Sequence, residues 1–268
     1  MAVTTSARAE TPGKTRGPSV LNLMTELPRT VMEVGMLASQ WGFLHRESPQ
    51  ADPHPVMVLP GFTAGDESTL ILRRFLTQQG YKALPWLQGT NTGNPRLLES
   101  VMLRFYRLHQ SMDCKISLVG QSLGGVFARE IAKQFPDAVR CVITLGSPYG
   151  ATGNGSTSPI VEKLFERMSG MTVEELRQTR PQFREQTRLA MPATSVYSKA
   201  DGVVGWQTCI EPESDISENI RVWGSHAGMA MNPDVVRIVA DRLAQDPDNW
   251  KKFETSSLCQ KLIYPETD

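Results

Sequence analysis

Residues 115–125, KISLVGQSLGG, decide how the rest of the chain is read. Residues 116–119 form a short apolar run of the kind that makes a buried strand. The run leads straight into Gly120-Gln121-Ser122-Leu123-Gly124, and a helical pattern follows, with Val126, Phe127, Ile131 and Phe135 on one stripe. A strand, then G-x-S-x-G, then a helix places a serine on a sharp turn. Glycines two residues either side of Ser122 leave room where side chains would collide, so the hydroxyl points out of the sheet. A serine hydroxyl is a weak nucleophile. To act it needs a base, a group that orients the base, and donors for a developing oxyanion.

Outward from this turn, short apolar runs alternate with helical patterns. Residues 55–60, 81–84, 141–145, 194–198 and 220–223 read as further strands, giving about six in all. Residues 67–79, with Leu70, Ile71, Phe75 and Leu76 inward, read as a helix. So do 97–110, with Leu98, Val101, Met102, Phe105 and Leu108 on one side, and the segment opening at Asn232-Pro233. Such alternation predicts crossover connections and a mostly parallel α/β sheet covered on both faces. Ligands bind such sheets at the carboxyl ends of the strands, where Gly61, Ser122 and Gly146 fall.

Residues 150–192 break the rhythm. A flexible linker leads to a helix opening at Ser158-Pro159, with Ile160, Val161, Leu164, Phe165 and Met168 on one face and Gly170 closing it. Thr172 and Glu175 then form a capping box. This excursion reads as a helical cap or lid over the edge that carries Ser122. Residues 1–18 are small, polar and Pro/Gly-punctuated, which predicts a disordered tail, and 19–268 a single domain that includes the excursion. Residues 19–44 read as two helices packed on the main body. One has Val20, Leu21, Met24 and Leu27 as its stripe; the other has Val31, Val34, Leu37, Ala38 and Trp41. A weaker alternative is contact with a membrane surface through this segment.

The chain has 268 residues, 40% of them hydrophobic, and a formal net charge of zero. No basic stripe suggests a nucleic-acid partner. The four cysteines, Cys114, Cys141, Cys209 and Cys259, lack metal-binding spacing and read as reduced thiols. No apolar run is long enough to span a bilayer, and no secretory signal is visible, so a cytoplasmic location is expected.

Of the four histidines, His45 and His54 precede the first strand and His109 lies near a helix end. Only His226 follows a strand at the edge that carries Ser122, and it is the candidate base. Asp201, in SKADGVV after the penultimate strand, is the candidate carboxylate. Asp215 and Glu211 look like solvated loop charges, and Asp137 lies at the wrong end of its strand. The order Ser122, Asp201, His226 is that expected of a serine on this kind of turn. The oxyanion donors would be the backbone N–H of Leu123, at a helix N-terminus, and that of Phe62, after the first strand.

With these segments in hand, the chain resembles the α/β-hydrolases, and among them the bacterial lipases and esterases. VLPGF resembles the strand and oxyanion loop, GQSLGG the nucleophile turn and LGSPYG the segment after the next strand. DGVV and SHAGMAMNP resemble the acid and histidine segments. The resemblance covers roughly residues 55–253. Pro60 and Tyr149 stand where lipases often carry histidines. The resemblance implies an α/β-hydrolase fold with the first two of eight strands missing and the helices of 19–44 in their place. It also implies cleavage of small-molecule acyl esters by Ser122, Asp201 and His226, with no metal or organic cofactor. Acyl transfer, thioester or amide cleavage would use the same triad. A non-catalytic binding protein on this fold would commonly have lost one of its members.

Overall fold

A computed structural model of the chain describes residues 17–49, 52–149, 159–172, 175, 187–254 and 263–265. The tail expected over residues 1–16 lies outside them, as do the linker at 150–158 and most of 173–186. Two N-terminal helices, α1 (Val20–Met24) and α2 (Glu26–Glu47), precede the first strand. The alternating part then runs β1 (Pro55–Leu59), α3 (Leu70–Gln78), β2 (Lys82–Leu84), α4 (Pro95–Met112), β3 (Ile116–Gln121), α5 (Leu123–Gln134) and β4 (Val139–Leu145). After α6 (Pro159–Ser169) come β5 (Ala193–Tyr197), β6 (Ser217–Arg221) and α7 (Pro233–Ala244).

The six strands form one parallel sheet in the order β2-β1-β3-β4-β5-β6. Alternate residues of each strand face opposite layers. In β1, Val56 and Val58 pack with Leu37, Phe75 and Val239 of α2, α3 and α7. Met57 and Leu59 pack on the other side with Phe105 and Phe127 of α4 and α5. Because both faces are covered, PVMVL is buried along its whole length, and this explains why the strand reads as a continuous apolar run. Burying each such side chain contributes roughly 1.5–3 kcal/mol.

Local signals set the helix ends. Asn94 caps α4 by accepting from Arg96 N–H, with Pro95 in the first turn; Asp113 closes the helix in the left-handed region at φ 50°. Asn232 and Pro233 open α7 in the same way. The capping box is present: Glu175 accepts from Thr172 N–H at 2.7 Å and Thr172 Oγ1 from Glu175 N–H at 3.0 Å.

The structure corrects four expectations. Strand β6 occupies Ser217–Arg221 rather than 220–223. Its polar start is buried because Glu218 accepts from Thr194 Oγ1 and from Arg242 of α7, so SEN does not look like strand sequence. On α3, Leu70 faces solvent and Leu72 is buried in its place. On α1 and the start of α2, Val20, Leu21, Met24, Leu27 and Val31 are exposed. The inward residues there are Glu26 and Glu33, because α2 covers loop backbone at this point and loop N–H groups require acceptors. Only further along, at Leu37 and Leu44, does α2 bury apolar side chains. Finally, Glu211 is buried and paired with Arg129 rather than solvated. Among the described residues, no helix is long and apolar enough to cross a membrane.

Candidate active site

Strand β3 ends at Gln121 and α5 begins at Leu123, so the whole change of direction falls on Ser122. Its φ of 51° and ψ of −124° lie where a non-glycine residue is strained by about 1–3 kcal/mol. The flanking glycines allow it. A Cβ on Gly120 would lie 2.4 Å from Gly124 O, and one on Gly124 would lie 2.4 Å from Leu59 O. Strand, turn and helix thus approach closely enough that no side chain fits.

The loops after β5 and β6 bring Asp201 and His226 to this serine. His226 Nε2 lies 3.0 Å from Ser122 Oγ, and its Nδ1 lies 2.6 Å from Asp201 Oδ2. The other carboxylate oxygen of Asp201 accepts from the N–H groups of Val203 and Val204, both at 2.8 Å. One oxygen is therefore held by its own loop and the other faces the imidazole. A carboxylate at Nδ1 places the proton there and leaves Nε2 free to accept from the serine hydroxyl. Burial alone would push the His226 imidazole down. The Asp201 charge and hydrogen bond, with the charge of Glu26, outweigh it and hold the group above its ordinary value. Gln121, inside the turn motif, donates through Nε2 to His226 O at 2.9 Å and ties the histidine loop to the nucleophile turn.

The two expected donors belong to segments adjoining Ser122. Leu123 is the first residue of α5, so its N–H has no acceptor within the helix. The loop carrying Phe62 passes so close that a Cβ on Gly61 would sit 3.2 Å from Ser122 Cβ. This loop is pinned by Asn91, which is fully buried. Asn91 Nδ2 donates to Pro60 O at 3.0 Å, its backbone O accepts from Thr63 N–H at 2.7 Å, and its N–H donates to Ala64 O at 2.8 Å. Thr63 is held at φ 64° as a result. Helix α6 reaches the same place: the rings of Phe165 and Phe62 are 5.4 Å apart, and Phe165 also fills the space beside Gly93.

No family model matches this chain, and no curated protein matches it in sequence. Solved structures match it in fold. Lipase B of Aspergillus fumigatus superposes with a TM-score of 0.56 at 16% identity, over 73% of this chain and 53% of that one. A monoacylglycerol lipase of Paleococcus ferrophilus gives 0.52 at 13% identity, over 70% of this chain and 96% of that one. An alpha/beta superfamily hydrolase from Oenococcus oeni gives 0.50 at 15% identity, over 70% and 91%. This chain has the α/β-hydrolase fold. It spans about half the length of the Aspergillus lipase and nearly all of the other two.

Within this α/β-hydrolase sheet, the rival residues lie elsewhere. Asp215 and Asp137 are exposed, and Glu211 is held by Arg129. A second serine–histidine pair exists, His54 Nε2 with Ser117 Oγ at 2.8 Å. It lies at the amino ends of β1 and β3, the opposite edge from the ligand-binding one. There, His54 Nδ1 meets the backbone oxygen of Asp52 rather than a carboxylate, and Ser117 is completely buried beside Cys141. Burial holds the His54 imidazole below its ordinary value. The pair has no access for a substrate. Among the described residues, no group of three or more His, Cys, Asp or Glu side chains is placed to hold a metal ion.

Sequence reasoning missed Glu26, Arg29 and Glu33 of α2, and Asn91. For the first three a signal exists. Glu26, Arg29, Thr30 and Glu33 recur at i, i+3, i+4, i+7 helical spacing away from the exposed apolar stripe, marking a polar face turned inward. Nothing in the GTNTGNP stretch separates Asn91 from its polar neighbours.

Proposed function

We propose that this protein hydrolyses carboxylic esters through an acyl-enzyme. Ser122 Oγ attacks the ester carbonyl while His226 Nε2 takes its proton, and the charge that develops on the imidazole is balanced by Asp201. The carbonyl oxygen becomes an oxyanion that accepts from the N–H groups of Phe62 and Leu123, each such donor contributing on the order of 10²–10³ in rate. His226 then returns the proton to the leaving alcohol. Water repeats the sequence on the acyl-serine and releases the acid. The acyl chain would lie against Phe62, Leu123 and Phe165 of α6; the contact between the Phe62 and Phe165 rings, 5.4 Å apart, supports this.

One observation carries this reading. An unbroken line runs from Asp201 through His226 to Ser122, 2.6 Å and then 3.0 Å, and ends on an oxygen held at φ 51° at the ligand-binding sheet edge. A fluorophosphonate probe with a series of p-nitrophenyl esters tests it. The wild type should label at Ser122 and turn the esters over. Its kcat/KM should rise with pH through a midpoint above the ordinary imidazole value of 6.5, because the base must be neutral. Ser122→Ala should abolish labelling and lower turnover by on the order of 10⁴ or more. Absence of Ser122-dependent labelling in folded protein would sink the reading.

A further inference from the structure

The start of α2 sends one carboxylate and one guanidinium into the gap between the acid loop and the histidine loop. Glu26 Oε1 accepts from Gly202 N–H at 2.9 Å, and Glu26 Oε2 accepts from His226 N–H at 2.8 Å and Ala227 N–H at 3.2 Å. Arg29 pairs with Glu26 Oε1 at 2.9 Å. Its Nη1 donates to Ala200 O at 2.9 Å and to Gly224 O at 3.2 Å. The pair therefore engages N–H and carbonyl groups from both loops. Ala200 O and Gly202 N–H flank Asp201; Gly224 O and His226 N–H lie either side of Ser225. Two further contacts lock this arrangement. A Cβ on Gly202 would lie 2.4 Å from Leu23 N, so α1 sits directly on the acid loop. Two turns along α2, Glu33 accepts from Ser225 N–H at 2.6 Å and from Ser225 Oγ at 2.5 Å.

Loops of this kind have no regular partners for their backbone groups, and each buried orphan N–H or C=O costs about as much as a lost hydrogen bond. A single ion pair satisfying five of them in two loops makes the separation of those loops a property of α2. Glu26 is 8% exposed, so its negative charge acts on the imidazole through little water. We propose that Glu26 and Arg29 are positioning residues for Asp201 and His226, holding the two loops at fixed separation and setting, by their opposite charges, the basicity of the histidine. The proposal rests on the serine-hydrolase reading for its functional meaning. The charged groups acting on His226 are Asp201 from the acid loop and Glu26 from α2; Arg29 bears on it as the ion-pair partner of Glu26, and Glu33 is bound to the neighbouring Ser225.

The test separates this role from simple bracing. Histidine-labelled full-length protein is titrated by NMR, with the His226 resonance assigned by its absence in His226→Asn. Glu26→Gln keeps the shape and removes the charge, and the His226 midpoint should fall by on the order of one unit, tenfold in proton affinity. Arg29→Met removes the opposing charge and should raise the midpoint. In steady-state assays, Glu26→Gln should lower kcat by on the order of 10- to 10²-fold with little change in KM, as expected when reacting groups are misplaced rather than substrate binding lost. Unchanged His226 midpoints in the folded variants would overturn the proposal. If Glu26→Gln melts below the assay temperature, Arg29→Met decides by itself, through the direction of its shift. If the wild type shows no Ser122-dependent turnover, the hydrolase reading falls, while the titration still decides whether Glu26 and Arg29 set the basicity of His226.

Discussion

Ser122 is strained, and the strain is held by neighbours that are absent rather than present. Gly120 and Gly124 let β3, α5 and the end of β1 come within contact of one another, and the whole change of direction falls on the serine. Gly124 is the more informative of the two. A Cβ there would meet Leu59 O at 2.4 Å and Pro60 O at 2.6 Å, both backbone atoms that cannot swing away. Gly124→Ala must push α5 from the loop carrying Phe62, separating the two N–H groups proposed to bind the oxyanion. Overpacking of this kind costs typically about 1–3 kcal/mol. The variant should fold with a lowered Tm and lose ester hydrolysis disproportionately. Wild-type turnover in Gly124→Ala would show that the close approach does not set the site.

Among the elements, α6 and α2 do different work at the same sheet edge. Helix α6 contributes Phe165, whose ring stands against Phe62 and fills the space beside Gly93, where a Cβ would come within 2.3 Å of it. That loop is held from its other side by the buried Asn91, whose Oδ1 accepts from Gly93 N–H at 3.1 Å, so its position does not depend on the ring alone. Truncating Phe165 to Ala should therefore widen the proposed acyl side of the site instead of collapsing it. Measured across a p-nitrophenyl ester series, KM should rise more for long acyl chains than for acetate. An equal change at every chain length would remove α6 from the acyl pocket. Helix α2 works through polar contacts and leaves its apolar stripe, Val20 to Val31 with α1, facing outward.

Across the whole molecule, one buried ion pair links regions far apart in the chain. Arg129 of α5 pairs with Glu211 of the β5–β6 connection, each side chain 2% exposed. It also donates to Thr187 O at 2.9 Å, where the excursion returns, and stacks over the Tyr149 ring at 4.1 Å, where the excursion leaves. Such a pair is a weak source of net stability while intact, because desolvating both charges offsets their attraction. Removing one partner leaves a bare buried charge and costs about 3–5 kcal/mol. Glu211→Ala should lower the denaturation midpoint by that order. Adding Arg129→Met to give the double variant should recover much of the loss, a non-additivity that equilibrium unfolding reads directly. Equal, additive losses would mean the pair is not coupled.

The strands with continuous apolar runs, the G-x-S-x-G turn and the chain order of Ser122, Asp201 and His226 were all legible in the sequence. Buried parallel strands and a sharp serine turn impose their own residue patterns locally. The buried start of β6 was not legible, since Glu218 lies inside only because Arg242 of α7 meets it. Nor was the burial of Glu211, which depends on Arg129, far earlier in the chain. The inward face of α2 was misread because hydrophobic periodicity assumes an apolar surface beneath a helix, and this helix lies on loop backbone. Local patterns determine which elements form and which residue types can do chemistry. Which polar side chains are buried depends on which remote backbone groups and charges need partners, and only the tertiary structure brings those together.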